Sequence, residues 1–236
     1  MTTKEALRER VWAEMEKNNV ARFPRPALGR VPNFFGAEKA AAVLAASDVW
    51  KQARVIKSNP DSAQQPVREQ ALREGKTLYM AVPKLATAEP FVRVRAEDAT
   101  RPKYASTIRG ALGVGRTIGI DEMEEIEMVV AGCVAVNHDG ARLGKGGGFS
   151  DLEFALARAY GKITAKTPVV TTVHPTQVLR EDIPMDAHDE PVDFIATTNE
   201  LLQTAGKFPK PSGIHWDLLT AKQIASIPIL KRLRGQ

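Results

Sequence analysis

The segment DGARLGKGGGFSD, residues 139–151, concentrates the residue types that handle phosphate. Four glycines among five residues, Gly144, Gly146, Gly147 and Gly148, let backbone N–H groups approach an anion that side chains would otherwise obstruct. Arg142 and Lys145 add two positive charges, and Asp151 places a carboxylate in the first turn of the helix expected next. That helix points the positive end of its dipole and its unpaired N–H groups into the same loop. The chemistry indicated is the binding and charge neutralisation of phosphate. The order is neither the GxxxxGK[ST] of a Walker loop nor the GxGxxG of a dinucleotide site.

The elements around this loop must deliver it. Before it, residues 128–136 (MVVAGCVAV) form a continuous apolar run, read as one strand buried on both faces of a parallel sheet. After it, residues 150–160 read as a helix ending at Gly161, and residues 168–173 and 193–197 as two further buried strands. At the N-terminus, Thr2 and Glu5 have capping-box spacing, while Leu7, Val11, Trp12 and Met15 share one face of a 3.6-residue period. Lys4 and Arg8 are then neighbours on that helix's surface. Residues 22–36, interrupted by proline and glycine, are expected to wrap over the surface with phenylalanines packed and arginines in water. A helix over 38–52, a β-like run over 54–57, a helix from Pro66 to a Gly75 cap and a strand over 77–82 follow. Residues 95–127 read as a mobile connection, and a basic helical region over 217–234 is broken by Pro228. The alternation predicts a single three-layer α/β/α domain over residues 1–236, with a mostly parallel central sheet.

Composition narrows the classes. Hydrophobic residues make up 43% and charged residues 26% of 236, which disfavours wholesale disorder and repeats. No apolar stretch suits a membrane span or a secretory core, so no membrane partner and a cytoplasmic setting are expected. One cysteine, Cys133, excludes an internal disulfide and a cysteine metal cluster, and its apolar surroundings mark it as core packing. The net charge of +5 suits phosphate-bearing ligands generally.

GARLGKGGGFSD resembles the G-x-R-L-G-x-G-x-G-Y-Y-D signature of the 5-formyltetrahydrofolate cyclo-ligase family, the methenyltetrahydrofolate synthetases. Residues 183–197 (IPMDAHDEPVDFIAT) are similar to that family's second signature, a proline followed by H-D-x-x-V-D and a strand, and Lys4-Glu-Ala-Leu-Arg8 to its opening K-x-x-L-R helix. The resemblance implies an α/β fold like those of sugar-phosphate isomerases and coenzyme A transferases. It also implies ATP- and Mg²⁺-dependent closure of 5-formyltetrahydrofolate to 5,10-methenyltetrahydrofolate, through phosphorylation of the formyl oxygen. Carried over residue by residue, it puts Lys4, Arg8, Arg142, Gly144, Lys145, Gly146, Gly147 and Gly148 at the ATP phosphates, with Arg142 and Lys145 in the catalytic role. Asp151 and Asp189 would hold Mg²⁺, and His188 would orient its neighbour. The implied partner is a folate or related small molecule, acted on by a monomer or homodimer.

The sequence departs from the family pattern where folate should sit. Phe149 and Ser150 stand in place of the paired tyrosines at the substrate position. The family's substrate glutamate has no clear counterpart in NPDSAQQP, residues 59–66, where Asp61, Gln64 and Gln65 are the candidates. A competing reading is a catalytically silent paralogue that binds nucleotide, RNA or a protein partner, argued from Arg22, Arg25 and Arg30 interleaved with Phe23, Phe34 and Phe35. Recognised RNA-binding signatures are absent, and nucleic acid is not the expected partner. A sugar-phosphate isomerase or coenzyme A transferase activity rests on fold analogy alone. As a charge at a helix start, Asp151 is expected to tolerate replacement by Asn with little effect on folding.

Overall fold

A computed structural model describes residues 2–235. Its centre is an eight-stranded sheet in the order Leu201–Gln203, Phe194–Ala196, Val169–Thr172, Met128–Val130, Val55–Ser58, Thr77–Ala81, Phe91–Val94, Arg116–Ile118. The five strands from Phe194–Ala196 to Thr77–Ala81 run parallel. The outer strands are antiparallel. The parallel strands are apolar on both faces because helices cover both. Ile56, Met128, Val130 and Val170 pack under the helices Ala37–Ala45, Asp48–Gln52 and Gln65–Arg73. Tyr79, Val129 and Val169 pack on the opposite side with Phe154 and Leu156 of the helix Phe149–Ala159 and Ile229 and Leu230 of the helix Pro228–Arg234. Each such fully buried side chain contributes about 1.5–3 kcal/mol of burial free energy. The expected three-layer α/β/α architecture is what forms. No described helix is long and apolar enough to cross a membrane.

The N-terminal helix, Lys4–Lys17, buries Leu7, Val11, Trp12 and Met15, as its periodicity predicts. Its cap is Thr3 rather than Thr2: the Thr3 hydroxyl accepts from the Ala6 N–H at 3.2 Å. The buried face rests on a small sheet of Val178–Leu179, Ala135–Asn137 and Arg142–Leu143. The last of these strands opens the glycine loop, so one sheet ties the helix to the loop.

Residues 128–136 therefore do not form one strand. Met128–Val130 belongs to the central sheet and Ala135–Asn137 to the small one. The chain passes between them at Gly132, where a Cβ would lie 2.8 Å from Gln64 Oε1 and 2.9 Å from Asp61 Oδ2. Apolar residues persist throughout because both sheets are buried, which hides the break from periodicity. The helix expected over 38–52 is also two, since the Ser47 hydroxyl caps Asp48–Gln52. The Pro66 and Gly75 signals hold at the ends of Gln65–Arg73, with Gly75 at φ +82°. Pro228 does not merely interrupt the C-terminal helical region; it starts a helix as its first residue.

Residues 95–127 are not a loose connection. They contain the helices Pro102–Ala105 and Ile108–Val114 and the edge strand Arg116–Ile118. Ala99, Ala105 and Ala111 pack on Val92 and Val94. Small residues make the contact, so the segment looks featureless to a hydrophobicity argument. Gly110 sits so close to the preceding turn that a Cβ would fall 1.8 Å from the Tyr104 carbonyl oxygen. Gly110→Ala is expected to lower stability by about 1–3 kcal/mol through forced backbone displacement, read as the shift in a urea unfolding midpoint. An unchanged midpoint would contradict this packing.

Candidate functional site

The glycine loop leaves the small sheet at Leu143 and turns into the helix Phe149–Ala159. Two of its glycines hold left-handed conformations, Gly146 at φ +101° and Gly148 at φ +67°, which disfavour a side chain. Gly148 is the N-cap of that helix and makes no side-chain capping bond. The helix's leading N–H groups and dipole thus face the loop.

The N-terminal helix brings Lys4 and Arg8 to this bend. Arg8 Nε donates to the Gly144 carbonyl at 2.8 Å, and its guanidinium lies 3.5 Å from where a Gly146 Cβ would stand. Lys4 Nζ bridges Asp189 Oδ2 at 2.5 Å and Asp186 Oδ2 at 2.7 Å. Burial works against the Lys4 charge, but the two carboxylates raise its pKa above the ordinary lysine value. Lys4 in turn lowers the pKa of Asp186. Together Lys4, Arg8, Arg142, Gly144, Gly146, Gly148, Asp151, His188 and Asp189 line a polar pocket of about 110 Å³. The side-chain ligand atoms of Asp186, His188 and Asp189 all lie within 4.8 Å of one another.

A second cavity of about 430 Å³ opens on the other side of the loop. Asn59, Asp61, Lys145, Phe149 and Ser150 line it, with Val82 and Ile108 on its apolar wall. The two pockets share Gly148 and Asp151. The structure thus divides the residues expected at the phosphates. Lys4, Arg8, Gly144, Gly146 and Gly148 face the polar pocket, whereas Lys145 and Gly147 line the larger one. Lys145 Nζ sits 3.5 Å from Asp61 Oδ1. Of the three candidates for the missing glutamate, Asp61 lies in the cavity. Gln64 is buried on Thr172, and Gln65 begins a helix.

Arg142 reaches the polar pocket as an anchored cation. It is 3% exposed, and all three of its nitrogens have protein acceptors. Nε donates to the Glu190 carbonyl at 2.9 Å, Nη1 to the Gly132 carbonyl at 3.3 Å, and Nη2 to Asp151 Oδ1. Burial opposes its charge, but Asp151 and Glu190 outweigh that cost and hold it protonated. Asp151 Oδ1 also accepts from the Glu190 N–H at 3.0 Å. The carboxylate is therefore not a free charge at a helix start, which corrects the expectation that Asn would be tolerated there.

Polar residues not singled out in the sequence, Lys57, Glu153 and Glu190, join Asn59 and Ser150 beneath the cavity. Asn59 Nδ2 donates to Glu153 at 2.9 Å, and Lys57 pairs with the same carboxylate at 2.5 Å in a buried setting. The Ser150 hydroxyl lies 3.0 Å from both Asn59 Oδ1 and Glu190 Oε2. Burial raises the pKa of Glu153 and of Glu190 against the opposing pull of their cationic neighbours. Arg68 is fully buried and donates to the carbonyls of Asn59, Pro60 and Asp61, holding the turn that carries Asp61. Burial lowers its pKa to about 10, which leaves it cationic at neutral pH. Two features of the sequence fall in this floor, Lys57 inside a β-like run and Glu190 inside the second signature. Cys133 is core packing, as expected: burial pushes its thiol up to about 11.

The 22–36 wrap differs from expectation. Phe34 is buried, but Phe23 and Phe35 are 81% and 58% exposed. Arg22, Arg25 and Arg30 are exposed, as expected, and Arg22 and Arg25 also pair at the surface with Glu38 and Glu16. The carboxylates neutralise two of the three arginines that suggested an RNA surface.

A glycine loop that joins a small three-stranded sheet to a helix packed on the parallel sheet, with a polar pocket at the helix start, defines an α/β protein. The sequence model of the 5-formyltetrahydrofolate cyclo-ligase family matches residues 1–198, and the chain belongs to that family. It is 38% identical over 239 residues to a methenyltetrahydrofolate synthase domain-containing protein of Bos taurus, across 99% of this chain and 62% of that one. The corresponding protein of Danio rerio is 39% identical over 238 residues, across 98% of this chain and 62% of the relative. The chain spans about three fifths of the length of these curated relatives. Among solved structures, the NMR structure of Aquifex aeolicus 5,10-methenyltetrahydrofolate synthetase superposes with a TM-score of 0.54 at 20% identity, covering 92% of this chain and 99% of that one. That likeness establishes the shared fold.

Replacing Asp151 with Asn removes the nearer of the two carboxylates that balance the buried guanidinium. Asp151→Asn is expected to cost about 1–3 kcal/mol of stability, and Arg142→Met about 3–5 kcal/mol. Lys145→Ala, at a half-exposed position, should stay within about 0.5 kcal/mol of the parent. Denaturant titrations of the three variants check this ranking, and equal midpoints for Arg142→Met and the parent would refute the anchoring role.

Proposed function

We propose that the chain couples ATP hydrolysis to the closure of 5-formyltetrahydrofolate into 5,10-methenyltetrahydrofolate, or performs the same activation on a related formylated or amide-bearing substrate. The observation that carries this reading is the junction of two unlike pockets at one helix start. A small cationic pocket suits a polyphosphate, and a larger, partly apolar cavity suits an organic acceptor. Phosphoryl transfer needs donor and acceptor side by side, with positioning and charge neutralisation supplied by the protein.

In this reading Lys4, Arg8 and the N–H groups around Gly146 and Gly148 hold the ATP phosphates. Arg142 keeps Asp151 and the 189–190 turn in place from behind. Asp189, with Asp186 and Asp151 nearby, offers the hard oxygen donors that Mg²⁺ takes. The Lys4 ammonium already bridges Asp186 and Asp189, which supports a pair of carboxylates arranged around one cation. When bound, ATP supplies the phosphoryl group that turns an unreactive amide oxygen into a leaving group. On the acceptor side, Phe149 presents a ring for stacking, Asp61 and Asn59 face the substrate's polar edge, and Lys145 stands at the entrance to the junction. The single-domain reading of residues 1–236 rests on one continuous sheet covered on both faces.

With saturating ATP and Mg²⁺, the purified protein should produce methenyltetrahydrofolate absorbance from 5-formyltetrahydrofolate. Arg8→Ala should raise the KM for ATP by about tenfold or more, equivalent to about 1.4 kcal/mol, at an unchanged KM for the folate. Nucleotide binding without absorbance would move the activity to another substrate, and a parental ATP KM in Arg8→Ala would remove the phosphate role.

A further inference from the structure

Residues 199–236 lie beyond the family match, yet the Bos taurus relative aligns over 99% of this chain. The segment is not an idle tail. Ile227, Ile229 and Leu230 are buried in the same core cluster as Phe154 and Leu156 of the loop helix, and Arg232 Nη2 donates to the Tyr160 hydroxyl at 3.1 Å. On the way to that anchor, residues 214–223 pass the first turns of the loop helix and leave a slot of about 80 Å³. Its walls are apolar: Leu152 and Ala155 from the helix, Ile214 and Leu219 from the extension, with Leu218 half-exposed at the rim. Its polar edges are His188, His215 and Gln223.

The slot adjoins the phosphate pocket directly. Gly148, Asp151 and His188 line both. His188 Nδ1 is buried without a hydrogen-bond partner. The Gln223 side-chain oxygen is held by the Thr220 N–H and hydroxyl at 2.9 and 2.8 Å, which orients the amide and leaves its NH₂ to donate. A flat ring with apolar faces and hydrogen-bonding edges matches this combination of walls and rim.

We propose that this slot, completed by the C-terminal extension, receives the heterocyclic base of the nucleotide whose phosphates occupy the glycine loop. The inference rests on the ATP reading above and adds to it a recognition element outside the part of the chain that the family match covers. Apolar contact with Ala155, Leu218 and Leu219 supplies affinity for the base, and Gln223 and the two histidines supply its polar contacts. Tripolyphosphate carries the same phosphates without the base, so the two sites can be read separately.

Calorimetric titration with ATP and with tripolyphosphate, each in excess Mg²⁺, tests the slot on the full chain. The parent should bind ATP about tenfold or more tightly than tripolyphosphate. Ala155→Leu, which fills the slot, should abolish that preference while leaving tripolyphosphate affinity within about twofold. Leu218→Ser, at the exposed rim, should cut the preference by about threefold, and it decides the matter if Ala155→Leu does not fold. Tripolyphosphate binding as tightly as ATP in the parent, or an intact preference in a folded variant, overturns the slot alone. Binding of neither ligand overturns the ATP reading together with it.

Discussion

The buried Arg142 guanidinium is the interaction on which the site depends, because it joins the crossing at Gly132, the loop helix and the second signature through one side chain. It starts on the strand that opens the glycine loop and binds the Gly132 carbonyl, where the chain crosses between sheets. It also binds Asp151 on the loop helix and the Glu190 carbonyl in the second signature. A cation removed from water is tolerable only when its charge and its donors are matched. Meeting that condition fixes where the helix starts and where Asp189 is presented. Arg142 therefore organises the pocket from behind, and the partly exposed cations beside the loop come from the N-terminal helix.

That division of labour follows from burial. Lys4 and Arg8 sit on a helix whose other face is locked onto the small sheet by Leu7, Val11, Trp12 and Met15. Their side chains retain some access to solvent and meet the loop from outside, so a ligand can replace water or a carboxylate around them. The floor of the neighbouring cavity follows the opposite rule. Lys57, Glu153, Asn59, Ser150 and Glu190 exchange charge and hydrogen bonds with one another, away from water. Such a network holds the Phe149 and Ser150 end of the loop helix in one orientation. Where the family signature has two tyrosines, this chain has one ring and one hydroxyl already committed to protein partners.

Much of this was legible in the sequence because it depends on local rules. Glycine placement gave the loop, the 3.6-residue period gave the buried face of the first helix, and the spacing of Lys4 and Arg8 placed both on one exposed side. The segments that resisted reading are those in which distant contacts decide the outcome. Residues 128–136 are apolar in two different sheets, so no pattern marks the crossing at Gly132. Ala99, Ala105 and Ala111 pack through small side chains, so residues 95–127 resembled a loose loop. Asp151 carries the sequence signal of a dipole-stabilising acid, and its pairing with Arg142 becomes visible only in three dimensions. Arg68 carried no motif, and Glu190 stood at an unspecified position of the second signature; their roles come from what the fold surrounds them with.

The central claim is that the loop at residues 144–148 and the N-terminal helix together grip a polyphosphate. A crystal structure with ADP and Mg²⁺ bound tests it most directly. The account predicts phosphate oxygens within hydrogen-bond reach of the backbone N–H groups of Gly146 to Phe149 and of the Arg8 guanidinium. Phosphates bound away from this bend, with Arg8 still closed on the Gly144 carbonyl, would contradict it.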